Sequence, residues 1–204
     1  EIEPLMAPVI RPLYAAFQVL DAARRRRGAL EIDMPERRVV MDETGRVTDI
    51  RTRQRFDAHK LIEEFMILAN VAAADTLLRR NRPCLFRVHD QPPADKVSVL
   101  RDYVKSLGLS FTNSVHVDPR DFNRLLKAVA NTPLEHQVNT TVLRSQSQAT
   151  YSPDNIGHFG LSLERYAHFT SPIRRYADLI VHRSLIKALN LGPDGLDGAA
   201  ADGL

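Results

Sequence analysis

The stretch FTSPIRRYADLIVHR, Phe169 to Arg183, contains Ser171-Pro172, a pair that reads as the opening of a helix. A serine oxygen accepts a hydrogen bond from a free first-turn amide, and proline fits the first helical position because no donor is needed there. The helix is therefore predicted to start at Ser171. Along it Arg174, Asp178 and His182 recur every four residues and share one face. Ile173, Tyr176, Ala177, Ile180, Ser184 and Ala188 sit around another face that can pack. Arg174 and Arg175 then occupy the first turn, where the positive end of the macrodipole disfavours cations by a few tenths of a kcal/mol. A phosphate would resolve that conflict, since free amides and a planar guanidinium both donate to its oxygens. The neighbour pairs Arg174–Asp178 and Asp178–His182 offer a structural explanation of the same residues.

Just upstream, GHFGLSLERYAHF places His158, Phe159, Tyr166, His168 and Phe169 ahead of the arginines. Flat side chains beside cations suit a single-stranded nucleic acid groove, where bases stack while phosphates are neutralised; a plain aromatic core is the other reading. Further upstream, Asp57 to Arg80 is helical by length and composition and apolar on nearly all sides in its middle, so a buried central helix is predicted. Within it Glu64 lies one turn after Lys60 and can pair with it, whereas Glu63 lies near Asn70 on a strip that otherwise faces the core. An unpartnered buried carboxylate costs several kcal/mol, so Glu63 needs a partner, and a structural salt bridge is the plain candidate.

The remaining sequence reads as one large domain of mixed α/β class in which helix dominates. Leu13 to Arg27 has helical spacing and stops at Gly28. Leu30 to Asp33, Arg37 to Met41 and Arg46 to Arg53 are short β-type runs, the last two joined by a hairpin turn at Asp42-Glu43-Thr44-Gly45. Cys84 to Val88 suits a buried strand, Ala94 to Leu107 a helix ended by Gly108, Asp118-Pro119 a capped helix to about Val129, and Leu134 to Gln146 a further helix. Residues 191–204, small and flexible in composition, read as a tail or linker. Apolar residues make up 44% and charged residues 26%, which argues against a disordered chain, and no apolar run approaches the roughly 20 residues of a membrane span. The acidic, proline-rich start without Met resembles no signal peptide and suggests an excised piece. A single cysteine, Cys84, excludes an internal disulfide and fits a reducing cytoplasm. The net charge of +3 suits a polyanion partner, and its cations cluster at Arg24–Arg27 and at Arg51, Arg53 and Arg55, the latter predicted to share one strand face. A helix end and a solvated strand face would account for both clusters without a ligand.

HFGLSLERYAHFTSPIRRYADLIVH resembles the signature of the ribonuclease II and ribonuclease R family, and EEFMILANVAAA, RRRRGALEIDMPE and RVHDQPPADKVSVL resemble further family blocks. Together they span the chain to about Asn190, with ribonuclease R-like members the nearest in character. The resemblance implies a processive 3'-to-5' exoribonuclease that releases nucleoside monophosphates from single-stranded RNA with divalent metal, usually magnesium; neither a membrane nor DNA is expected as a partner. It implies that residues 1–190 are the carboxy-terminal part of an RNB-type catalytic domain, with a small antiparallel sheet packed by helices. The family's metal-binding aspartates belong to an upstream block whose spacing does not occur here, so magnesium ligands are not expected in this chain, which is expected to be inactive alone and to expose part of its core. By position, Arg174 is implied to contact the scissile phosphate and Glu63 to line the catalytic pocket, with Arg175, Tyr176, His158, Phe159 and Tyr166 as candidate RNA contacts. A family member that has lost catalysis and serves as an RNA-binding regulatory scaffold is the alternative.

Overall fold

The structure, a computed structural model, describes residues 2–32, 34, 37–52 and 54–196. A short helix α1 (Glu3–Leu5) runs through a π-helical turn at Met6–Ile10 into α2 (Arg11–Arg27). Pro8 and Pro12 each lack the amide an α-helix would use, and the wider turn lies between α1 and the α2 start that holds Pro12. Gly28 ends α2 at φ 78°, as predicted. A side chain there would collide with Arg120, whose guanidinium reaches across to donate to the last carbonyls of α2, Arg26 O at 2.8 Å and Arg27 O at 3.4 Å.

The predicted strand at Leu30 to Asp33 does not form over Leu30–Ile32, and Asp33 lies outside the described residues. This extended segment instead donates Leu30 N–H to Gly160 O and Glu31 N–H to the Asn123 side chain, so its partners are a loop and a helix rather than a strand. β1 (Arg37–Met41) and β2 (Val47–Thr52) pair antiparallel, with a bulge between Val40 and Met41. Val39, Met41, Val47 and Ile50 of this hairpin are exposed, so the small antiparallel sheet packed by helices is the other one, formed by the strands Phe86–Val88 and Thr150–Ser152. The proposed row of cations also fails to form: β2 ends at Thr52, Arg53 lies outside the described residues, and Arg55 turns to pair with Glu63.

α3 (Asp57–Arg79) is the central helix and buries Leu61, Ile67, Ala73, Ala74 and Leu77. β3 (Phe86–Val88) pairs antiparallel with β4 (Thr150–Ser152), a strand with no clear sequence signal. Between them lie α4 (Ala94–Ser106), α5 (Pro119–Val129) and α6 (Glu135–Ser145), and α7 (Tyr176–Leu189) closes the fold. Asp118 caps α5 by accepting the Arg120 amide at 2.8 Å, while Asp121 accepts the Asp118 amide at 2.9 Å. Two cores result. One unites α4, α5 and α6 around Leu100, Val104, Phe122 and Val138; the other joins α3, α7 and β3 around Leu77, Phe86, Ala167 and Val181. The loop between β4 and α7 bridges them, with Phe159 against the first and Ala167 inside the second. The segment read as a flexible tail begins docked: the Leu196 N–H donates to Arg183 O at 3.0 Å and Leu196 is buried, while residues 197–204 lie outside the described set. No helix among the described residues is long and apolar enough to cross a membrane.

Candidate functional site

The helix predicted from Ser171 starts later. Ser171 to Arg174 form a turn in which the Arg174 and Arg175 amides both donate to Ser171 O at 3.2 Å, and Arg175 is extended, at φ −130° and ψ 118°, before α7 begins at Tyr176. The two cations are therefore not in the first helical turn. Asp178 is, where an anion is favoured. Its carboxylate, 0% exposed, accepts the Ser171 N–H at 2.8 Å, Arg175 Nε at 2.8 Å and Arg175 NH2 at 2.9 Å. Arg175 is thus locked in a two-pronged, inward pair. The guanidinium of Arg174, one residue earlier and exposed, makes no hydrogen bond or ion pair with the described residues.

Two further side chains hold the loop that presents Arg174. Asn70, buried on α3, accepts the Phe169 N–H and donates to the Tyr166 hydroxyl, each at 2.9 Å. His182 on α7 stacks on Phe169 with ring centres 4.2 Å apart and meets Phe169 O through Nε2 at 2.8 Å. A carbonyl only accepts, so His182 carries its proton on Nε2. Asn70, Asp178 and His182 together fix residues 166–175 from both flanking helices. Sequence reasoning placed Asn70 on the core strip without giving it a task; the signal was a buried amide, which must find partners.

The two glutamates of α3 exchange the roles expected for them. Glu64 is the buried one and accepts Arg24 NH1 at 2.9 Å, while Lys60 pairs with Asp57 at 3.5 Å. Glu63, its side chain 42% exposed, pairs with Arg55 and lies 3.9 Å from Arg24. Azimuth alone aligns Glu63 with Asn70; burial follows instead from where α2 crosses α3 and delivers Arg24. Glu63 lines a cleft of about 840 Å³ beside Arg24, Arg55, Lys60, Arg124 and Lys127. Most arginines of the 24–27 cluster are structural: Arg25 pairs with Asp21, and Arg27 Nε donates to Leu161 O at 2.8 Å.

Tyr166 is buried, 7% exposed, between the two helices. Burial pushes its phenol above the ordinary range, against the hydrogen bond from Asn70. His158 and Phe159 are half-buried: His158 Nδ1 accepts the Leu161 amide at 3.2 Å, and Phe159 meets Phe122 edge-on. These three rings support the loop from inside. Tyr176, 72% exposed, is the aromatic among the candidates that stands free in solvent. His158 also packs against the His89 ring, centres 5.0 Å apart, and both line a second cavity of about 610 Å³. His89 donates from Nε2 to Ser147 O at 2.9 Å and accepts Gly160 N–H on Nδ1, so it is neutral, in line with burial lowering its pKa. Burial holds His158 and His168 down to about 4. Among the described residues no three His, Cys, Asp or Glu side chains are grouped as a metal ion requires, so these residues do not by themselves fit a magnesium site.

The RNB domain family model matches residues 2–191. Ribonuclease R of Escherichia coli K12 is 43% identical over 182 residues, covering 88% of this chain and 22% of that protein. Ribonuclease R of Aquifex aeolicus is 41% identical over 186 residues, covering 91% of this chain and 26% of its own length. The chain thus spans about a quarter of the curated relatives it matches. Among solved structures, Mycoplasma genitalium RNase R in complex with ribose-methylated single-stranded RNA superposes with a TM-score of 0.85 at 30% identity, covering 96% of this chain and 31% of that one. Yeast Ssd1, described as a pseudonuclease, superposes with a TM-score of 0.59 at 25% identity over 74% of this chain and 18% of its own. The matched span, the relatives and the helix-rich architecture agree: this chain belongs to the RNB domain family, with ribonuclease R among its relatives.

Proposed function

We propose that this chain serves a hydrolytic exoribonuclease that degrades single-stranded RNA processively from 3' to 5' and releases nucleoside monophosphates, with Arg174 at the scissile phosphate and Glu63 lining the pocket. The observation that carries the proposal is Arg174 itself, an exposed and unpaired guanidinium on a loop clamped by buried Asn70, Asp178 and His182. Holding an unsatisfied cation on a rigid support suits a charge that develops only during reaction. As water attacks phosphorus, negative charge grows on the non-bridging oxygens, and Arg174 donates to them. Arg175 does not share this task, because Asp178 occupies both of its prongs. Its part is to fix the turn. Tyr176, at the open end of α7, is placed to meet RNA bases. The relatives named ribonuclease R, one of them solved with single-stranded RNA, support the substrate class. Magnesium and a cytoplasmic location belong to the same reading of the whole protein.

The test places Arg174→Ala in a protein with the full length of its ribonuclease R relatives and follows single-turnover release of monophosphate from single-stranded RNA with magnesium. Turnover falls on the order of a hundredfold or more, while RNA affinity, spread over many phosphates, changes little. Arg174→Lys restores part of the loss, since an ammonium keeps the charge and loses the planar fork. Unchanged turnover overturns the assignment. Tight RNA binding without any hydrolysis by the unmutated full-length protein favours the scaffold reading, to which the likeness to a pseudonuclease lends its support.

A further inference from the structure

On the β3–β4 ribbon and on the loop that leads to Arg174 lies a group of side chains with no task in the site described above. Arg87 and Tyr151 face each other in register across the two strands, and the Arg87 guanidinium sits over the Tyr151 ring, 4.8 Å from its centre. The Tyr151 hydroxyl shares a hydrogen bond of 2.7 Å with His168 Nδ1, and the residue remains 40% exposed. Tyr166 meets the His168 ring edge-on from the interior, at 5.7 Å between centres. The tyrosine is therefore held at its tip by His168 and on one face by Arg87.

The electrostatics of this patch are one-sided. Arg87, Arg174 and Arg175 all act on His168, and the carboxylate that opposes them is Asp178, fully buried and already bound to Arg175. Neither Arg87 nor Arg174 has an ion-pair partner among the described residues. Unmatched guanidiniums around an immobilised ring are suited to a strand in which flat bases alternate with phosphates. An acidic peptide would satisfy the cations and leave the ring unused.

We propose that Tyr151, Arg87 and His168, the last on the loop that carries Arg174, form an RNA-contacting patch in which a base stacks on Tyr151 while a neighbouring phosphate meets Arg87. It rests on the reading of this chain as part of an RNA-degrading enzyme and extends it to Tyr151, outside the stretches that carry the family resemblance, and to Arg87 and His168 within them. Tyr151 supplies the stacking face, and Arg87 supplies charge while stiffening the ring from behind. His168 is a positioning residue that acts through the Tyr151 hydroxyl.

The experiment uses the 204-residue chain and a fluorescent oligouridylate, with affinity read by anisotropy at low salt. A second arm carries 5-iodouridine and maps the photocrosslinked residue by mass spectrometry. Tyr151→Ala and Arg87→Ala each weaken binding about fivefold or more, the scale of one lost base stack. Tyr151→Phe weakens binding less than Tyr151→Ala, because the ring remains but loses its tie to His168, and the crosslink maps to Tyr151. The crosslinking arm uses the unmutated chain and so does not depend on any variant folding. Alanine variants that bind like the parent, or a crosslink that maps elsewhere, overturn the patch even while Arg174→Ala still abolishes turnover in the full-length protein. Absence of RNA binding by the parent chain likewise overturns it as a binding surface, and the hydrolysis assay decides the catalytic reading separately.

Discussion

Adjacent arginines make a sharp comparison, because the turn before α7 gives them opposite surroundings. Arg175→Ala removes both prongs from Asp178 and leaves a carboxylate that is 0% exposed with the Ser171 amide as its remaining partner. Breaking one side of a buried pair costs about 3–5 kcal/mol, and the 20% exposure of the Arg175 side chain draws the figure towards the lower end, about 3 kcal/mol. For a chain of this size that is a fall in melting temperature of about 6–12 °C. Arg174→Ala removes an exposed side chain without partners and should shift stability by no more than about 0.5 kcal/mol. The assay is urea denaturation of the 204-residue chain followed by circular dichroism, with Asp178→Asn and the Arg175→Ala/Asp178→Asn double variant alongside. The double variant should lose clearly less than the sum of its parts, because the penalty of each single change is a charge left alone. Equal midpoints for the two alanine variants, or strictly additive losses at 175 and 178, would refute the structural role of this pair.

Three further outcomes are expected. Burial holds His158 and His168 down to about 4 in the folded chain against an ordinary 6.5; unfolding binds protons between those values, so their contribution to stability is complete above about pH 6.5 and is lost as pH drops towards 4, and His158→Gln should reduce the slope of the urea midpoint over that window. Cys84 is buried and its thiol is pushed up to about 12, so a thiol reagent should modify it only as fast as the chain opens, and immediate modification under native conditions would contradict the core assignment. The 204-residue chain incubated with single-stranded RNA and magnesium should release no monophosphate above a contamination control, since no carboxylate group suited to a hard cation assembles among its described residues.

Local sequence determined much of this protein. Asp118-Pro119 starts a capped helix, Gly28 and Gly108 stop helices at positive φ, and Asp42 to Gly45 turns a hairpin, because each depends on neighbours a few residues away. The family signature likewise marked the segment that carries Arg174. Long-range geometry was out of reach. Ser171-Pro172 has the local chemistry of a helix start, yet the buried Asp178 draws in the Ser171 amide and both prongs of Arg175, and the helix begins only at Tyr176. Glu63 and Glu64 differ by one position and about 100° of azimuth, and only the crossing of α2 over α3 assigns burial to Glu64 by bringing Arg24 to it. Tyr151 had no local mark at all; pairing of β3 with β4 sets it on Arg87 and against His168. A side chain's role was legible where its partner lay within one turn of the chain, and tertiary structure decided it wherever a buried charge or amide had to find its partner across the fold, because the cost of leaving such a group unpaired outweighs any local preference.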